Sequence, residues 1–296
     1  MTTTTVLSAP LTTTAIRSPG YWRTVLRRFA RDPLAVAAAT VVLLLILMAI
    51  FAPWLAPNDP LQGMTLRRLK PPGTEGYPLG TDELGRDMLS RLIYGARISL
   101  FMGIVPVFCA LFIGASIGVS AGYAGGWLNT VLMRTVDVFF AFPSVLLAVA
   151  IAGVLGPGIV NGMLALTLVF IPPIARVAES VTTSVRSLDY VEAARASGAG
   201  AMLIIRKHVL GNVLGPIFVY AMSLIAVSMI LASGLSFLGL GVKPPQPDWG
   251  LMLNTLRTAL YTQPLLCALP GVMIFITSIS FNLMTDGLRS AMDIKA

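Results

Sequence analysis

Charged side chains are scarce in this sequence: Asp, Glu, Lys and Arg make up 11% of its 296 residues, whereas 56% are hydrophobic. Soluble domains carry roughly 25% charged residues, so the polar surface here is too small to cover a water-soluble globule of this size. A lipid bilayer is the expected solvent. Histidine occurs once, as His208, which excludes H-E-x-x-H zinc chemistry and any clustered histidine metal site. A lone histidine is ordinarily a satisfied structural residue. The two cysteines, Cys109 and Cys267, cannot make a disulfide scaffold and lie inside apolar runs, as packing residues do. No G-x-x-x-x-G-K-[ST] phosphate loop is present, so ATP binding of that kind is excluded. Gly234-Leu235-Ser236-Phe237-Leu238-Gly239 only resembles a nucleophile elbow, with one residue too many and a membrane helix in place of a strand-to-helix turn. No nucleophile with an acid–base partner emerges, so no catalytic residue, cofactor or metal is expected.

What the sequence has in abundance is apolar runs of membrane-spanning length. A net charge of +8 raises the question of nucleic acid, but the basic residues sit in short clusters without the interleaved aromatics that stack bases. They read as topology signals. Residues 1–14 are Thr-rich without apolar periodicity and cannot offset their ordering entropy, so disorder is expected there. Residues 1–33 form an N-terminal cytoplasmic segment, and 34–296 the membrane domain. The run 34–55 is longer than the roughly 7–15 residues of a signal-peptide core and is read as an uncleaved first span, with Asp32 as N-cap and Pro33 as first helical residue. Further spans are expected over about 98–121, 131–155, 160–177, 216–238 and 265–283. The fold class is therefore an all-α integral membrane protein of six transmembrane helices, with loops of polar composition at 58–97 and 178–214.

Six spans put both termini on one face. Arg17, Arg23, Arg27, Arg28, Arg31, Arg134, Arg176, Arg186, Arg195, Arg206, Lys207, Arg289 and Lys295 share that face, against Arg67, Arg68, Lys70, Arg86, Arg91, Arg97, Lys243 and Arg257 opposite. The positive-inside rule then makes the termini and the 178–214 loop cytoplasmic. Gly114, Gly118, Gly122 and Gly126 recur every fourth residue, a ridge that lets helix backbones approach where lipid offers no hydrophobic drive; helix packing is favoured over a moving gate. Arg134 and Asp137, one turn apart, are expected to pair with each other near the membrane boundary. Apart from Asp286 near the end of span six, no span carries a mid-membrane acid, which leaves an ion-coupled transporter little to work with.

The 178–214 loop is the most informative segment. Asp189 and Glu192 are spaced as N-cap and N3 of a short helix carrying Tyr190, Val191, Ala193, Ala194 and Ala196, which Gly198 would end in a left-handed cap. A second short helix is expected over 202–209. Helices this short are marginal alone in water, so two apolar ones need a surface, either a partner or the chain's own helix ends.

The run Glu192-Ala193-Ala194, then Gly198, then His208-Val209-Leu210 resembles the coupling loop of ABC importer membrane subunits, which docks in a cleft of the ATPase subunit. Pro78-Leu79-Gly80-Thr81-Asp82-Glu83-Leu84-Gly85-Arg86-Asp87, Ala141-Phe142-Pro143-Ser144, Gly234-Leu235-Ser236-Phe237-Leu238-Gly239-Leu240-Gly241 and Asn282-Leu283-Met284-Thr285-Asp286-Gly287-Leu288-Arg289 are similar to the second permease of the dipeptide and oligopeptide importers. The resemblance runs from about residue 28 to the C-terminus. It implies a second related permease, two ATPase subunits and an extracytoplasmic solute-binding protein as partners, in a cell membrane. It also implies a non-catalytic subunit importing di- or oligopeptides, with nickel chelates, glutathione or another small solute as alternatives. Glu192 would anchor the coupling helix, Gly198 permit its bend and His208 sit in the second helix, within a site comprising Asp189, Glu192, Ala193, Ala194, Gly198, His208 and Leu210. One departure is Gly211, where the family usually has proline; a looser end to the second coupling helix is expected there.

Overall fold

The computed structural model describes residues 21–292; the disorder expected for 1–14, and the basic residues Arg17 and Lys295, lie outside them. In chain order the helices are α1 (Tyr21–Phe29), α2 (Pro33–Ile50), α3 (Ala52–Leu55), α4 (Met88–Ala124), α5 (Gly126–Phe140), α6 (Ser144–Leu155) and α7 (Ile159–Arg186). There follow α8 (Asp189–Ala196), α9 (Ala201–Ile204), α10 (Leu210–Phe237), α11 (Trp249–Leu256) and α12 (Pro264–Met292). Asp32 caps α2 by accepting from the Leu34 and Ala35 amides at 3.0 and 3.2 Å, and Pro33 supplies a preset first residue.

Among the described residues five helices are long and apolar enough to cross a bilayer, 201–237 counting as one, and α5 with α6, a pair bent by 86°, make a sixth when counted as one span. The third span is thus broken. Pro143 has no amide hydrogen and excludes the helical conformation from the residue before it, so α5 stops short of the Ala141-Phe142-Pro143 motif and α6 restarts after it in a new direction.

Other boundaries also differ from the sequence expectation. The second span begins at Met88, ten residues before 98, because the arginines that give this stretch a loop-like composition are satisfied locally. Arg91 donates to the Pro60 carbonyl at 3.1 Å and stands 3.1 Å from the Asp82 carboxylate. Arg97 donates to the Ala49 and Ile50 carbonyls at 2.6 and 3.1 Å, at the end of α2 where helix carbonyls lack partners and a cation is favoured. Span four continues as helix to Arg186. Span five begins at Ala201, so most of the expected loop is helical.

The segment 58–87 is a folded cap organised on Asp82. Its Oδ1 accepts the amides of Leu84 and Arg86, each at 2.9 Å, and its Oδ2 accepts the Arg86 guanidinium at 2.6 Å. Arg86 also donates to Glu83 at 2.8 Å. These charges are almost wholly buried, and each is matched, as buried charges must be. A buried acid also stands between spans five and six. Asp248 caps α11, accepting from Ser99 Oγ at 2.7 Å and from the Leu251 amide at 3.0 Å; burial pushes its carboxyl above the usual range and these donors oppose the shift.

α4 and α7 make the most extensive helix-to-helix contact among the described residues. A Cβ on Gly114 would lie 2.9 Å from the Ile171 carbonyl oxygen, one on Gly118 2.5 Å from the Ala178 Cβ, and one on Gly122 2.7 Å from the Glu179 carbonyl oxygen. Gly126 is not part of this row: it opens α5 at φ +53° with open space around it. The expected Arg134–Asp137 pair does not form. Asp137 instead binds Arg176 of α7, because the two helices cross there and put the opposite charge nearer than the next turn of α5 does. Gly118→Val is expected to force the α4–α7 backbones apart and cost about 1–3 kcal/mol, read as a lower melting temperature of the purified protein, with Gly126→Val costing less of this packing energy.

Candidate functional site

The segment joining α7 to α10 gathers most of the residues singled out in the sequence. α8 begins one residue earlier than the pattern suggests: Leu188 is its N-cap, with no side-chain hydrogen bond, and Asp189 is its first residue. Asp189 and Glu192 still lie in the first turn, where the helix dipole favours negative charge. Both are exposed. The helix ends at Gly198, whose φ of +80° is reached cheaply only without a side chain. The Gly198 amide donates to the Arg195 carbonyl at 3.0 Å and the Ala199 amide to the Ala194 carbonyl at 3.2 Å, the paired bonds of a Schellman cap. Gly198 therefore turns the chain between the two helices.

The second helix is not a separate element. α9 passes through a π-turn, Ile205–Val209, directly into α10. Gly211 lies inside α10, and a Cβ there would meet nothing within 4 Å. The expectation that the helix loosens at Gly211 is thus corrected. The irregularity sits one turn earlier, in the widened π-turn that contains His208.

The two short helices have two unlike faces. Val191, Ile204 and Val209 are at most 1% exposed and belong to the main core, with Ala194, Ala199, Ile205 and Leu210 packed against it. The loop is thus seated on its own helix ends. Outward it presents Asp189, Glu192, Ala193 and Arg195 from α8. Beside them Met202, Leu203, Arg206 and Lys207 line a depression of about 570 Å³. Met202 and Leu203 are 69% and 56% exposed, so apolar surface remains uncovered where the helix leaves the bundle.

Two residues fasten the loop that the sequence reading did not single out for this. Tyr190 packs its ring against His208, with centroids 6.2 Å apart. Asn212 donates from Nδ2 to the Tyr190 hydroxyl and to the His208 carbonyl, each at 2.9 Å. The His208 carbonyl, in the π-turn, accepts from the Asn212 side chain one helical turn on. His208 thus serves as a joint between α8 and α10. The spacing of Tyr190 and Asn212 carries no motif, so only the folded contact reveals them.

A second set of bonds ties the site to the α4–α5 corner. Arg186 Nη1 donates to the Tyr123 carbonyl at 3.2 Å, and the Arg195 guanidinium stands 5.9 Å from the Tyr123 ring centre. Asn129 donates to Glu179 of α7 at 2.7 Å and to the Ala121 carbonyl at 3.2 Å. Basic groups at the end of α4 suit its carbonyl-rich terminus. Among the described residues no group of three His, Cys, Asp or Glu could hold a metal ion. The arrangement offers a rigid, two-sided elbow for a macromolecular contact.

Residues 114–295 match the family model "Binding-protein-dependent transport system inner membrane component", and residues 20–72 match "N-terminal TM domain of oligopeptide transport permease C". The glutathione transport system permease protein GsiD of Pectobacterium atrosepticum is 42% identical over 281 residues, covering 95% of this chain and 93% of its own. The protein of the same name from Escherichia coli O6:K15:H31 is 42% identical over 280 residues, with 95% and 92% covered. Among solved structures, a chain of the MetNI methionine ABC transporter in inward facing conformations aligns with a TM-score of 0.57 at 21% identity, covering 69% of this chain and 97% of its own. That likeness is one of fold.

Two substitutions separate the glycines of the site. Gly198→Ala places a side chain at positive φ and is expected to cost about 1–2 kcal/mol, whereas Gly211→Ala, in an open helical position, is expected to stabilise by about 0.5–1 kcal/mol; thermal melting of the two purified variants against the parent checks both signs.

Proposed function

The chain belongs to the binding-protein-dependent transport system inner membrane components, as a permease subunit of an ABC importer of the oligopeptide permease C type, and on that premise we propose that its α8–α9 elbow is the surface through which ATP hydrolysis by partner subunits drives transport. The observation that carries this reading is the two-faced elbow. Its inner side, Val191, Ile204 and Val209, is part of the chain's own core, while its outer side leaves Glu192, Met202, Leu203, Arg206 and Lys207 exposed. A partner that grips the outer side moves a body already joined to α7 and α10. Asp189, Glu192, Ala193 and Ala194 would form the gripped helix, Gly198 its turn, and His208 with Leu210 the joint to the membrane.

The same premise supplies the partners: a second homologous permease, two ATPase subunits and an extracytoplasmic solute-binding protein. The protein lies in the inner membrane as a multi-pass subunit. We place both termini and the elbow in the cytoplasm. Arg186, Arg195, Arg206, Lys207 and Arg289 cluster at the elbow end of the helices, and retained basic residues mark that side. The folded Asp82 cap then faces outward, where its buried ion pairs satisfy Arg86 and Arg91, two of the basic residues that weigh against this orientation.

For the solute, a small peptide is the reading favoured, with glutathione foremost because the relatives at 42% identity are named for glutathione transport. Nickel chelates and other small solutes are the alternatives. Two outcomes are expected. Glu192→Ala in the assembled transporter lowers solute-stimulated ATPase activity and ATP-driven uptake at least about tenfold, a loss of roughly 1.4 kcal/mol in coupling; unchanged uptake would remove the elbow's role. In a thermal-shift assay the cognate binding protein melts higher with glutathione or a dipeptide, and a shift with a nickel chelate alone would replace the peptide reading.

A further inference from the structure

The broken third span leaves a polar surface without a partner in this chain. In α5 and α6, Met133, Val136, Ala148 and Ala152 are buried and Leu128, Asn129, Leu132, Leu147, Val149 and Ile151 are half-buried, so the remaining surface of both helices faces away from the bundle. In α6 that outward surface is apolar and suits lipid. In α5 it is not. Thr130, Arg134 and Asp137 recur at helical spacing on one stripe, the first two exposed and the third about 41% exposed. On α7, Arg176, Ser180 and Ser184 make a second stripe, with Arg176 43% exposed and both serines exposed. The Asp137–Arg176 ion pair joins the two stripes, so they open to the same side and form a single polar lane.

The lane has a floor and a roof. Behind it, Met133 and Val136 pack with Ala121 and Ala175 into a small apolar cluster that fixes the α5–α7 spacing. At its far end the chain bends by 86°, and a cavity of about 260 Å³ opens, lined by Phe139, Phe140 and Phe142 with Phe170, Pro172 and Pro173 of α7. Asp137 precedes this aromatic ring by two residues, and Arg176 follows Pro173 by three. The pair lies about 15 Å along α7 from its Arg186 end, near the membrane boundary expected for spans three and four, and half-exposed charges there disfavour contact with hydrocarbon. Water or protein must therefore cover the lane.

We propose that this lane, Thr130, Arg134 and Asp137 with Arg176, Ser180 and Ser184, lines the cytoplasmic half of the water-filled translocation path, and that the phenylalanines at the bend form its upper constriction. The proposal rests on the reading of the chain as half of a permease pair, and it assigns the path to the α5–α7 side. The polar stripes keep the lane hydrated. The aromatic ring above it is the narrowing a solute must pass, and the proline pair in α7 stands opposite the break in span three, so both walls of the constriction carry helix-disrupting residues.

The test uses the assembled transporter in nanodiscs, with Cys109→Ala and Cys267→Ala removing native thiols and Ser180→Cys or Thr130→Cys as probes that leave the ion pair intact. A membrane-impermeant sulfonated methanethiosulfonate reagent is expected to modify both probes in the nucleotide-free complex. Trapping with ATP and vanadate should slow modification at least about tenfold, as an equilibrium between open and closed paths is shifted. Modification by a lipid-soluble maleimide but not the sulfonated reagent would place the lane against acyl chains and overturn the proposal. So would equal rates in both states, which would mark an ordinary cytoplasmic surface, or silence to both reagents, which would mark a permease–permease contact. Failure of the underlying reading is separately visible: the parent chain would then not co-purify with an ATPase subunit or trap nucleotide.

Discussion

The approach of two helix backbones, α4 and α7, is the contact on which the rest of the molecule depends. In lipid the hydrophobic effect does not bring spans together, so packing at short range must supply the attraction. Gly114, Gly118 and Gly122 supply it by removing every side chain that would hold the backbones apart. The contact extends beyond the glycines at the elbow end, through the Arg186–Tyr123 hydrogen bond. α7 is therefore not free to slide along α4. Whatever moves α7 moves α4 with it, and through Arg97 and the Asp82 cap α4 is tied in turn to α2 and the opposite surface.

This rigidity gives the elbow its mechanical meaning under the proposed coupling role. A lever transmits displacement only if its joints do not yield. At one end, α8 follows α7 after a two-residue turn; at the other, α9 enters α10 without a break. The single irregularity, the π-turn at Ile205–Val209, is clamped by Tyr190 and Asn212. A loop flexible enough to dissipate a pull has been replaced by a helix whose one weak turn is bonded to its neighbour. Gly198 is the remaining soft point, and it lies between the two helices, where a change of angle leaves both attachments intact.

Much of this was legible in the sequence because membrane solvation leaves few alternatives: runs of apolar residues of sufficient length must be helices, and their number follows by counting. The glycine period and the Gly198 stop were readable for the same reason, since each rests on local geometry. The failures share a different cause. Residues 88–97 read as loop because Arg91 and Arg97 are charged, yet their partners, Pro60, Asp82, Ala49 and Ile50, come from segments distant in sequence. Asp137 was paired with Arg134 because spacing along one helix is visible and a crossing with α7 is not. The Tyr190–His208–Asn212 clasp is likewise a tertiary event. The looser end expected at Gly211 rests on the contrast with the family's usual proline and on glycine's poor helix propensity, neither of which shows that α10 carries through it.

The break in span three combines with the α4–α7 contact to divide the membrane domain into unlike parts. On one side, glycine-mediated contact makes α4 and α7 a single body with the elbow attached. On the other, α5 and α6 bury four side chains fully, beside a fringe of half-buried ones, and are bent at a proline, so they have less to lose when neighbours shift. The Asp137–Arg176 pair sits where these parts meet. An ion pair half open to its surroundings holds less firmly than a packed seam, because water can take up both charges as they separate. Motion of α7 against α5 would therefore be resisted mainly by the small cluster of Met133, Val136, Ala121 and Ala175 and by the Asn129–Glu179 hydrogen bond near the elbow, and not by a row of interlocked backbones. That asymmetry, a stiff seam on one face of α7 and a wet, weakly held one on the other, is what an importer's membrane subunit requires if a pull on the elbow is to open one side of a helix without unseating the other.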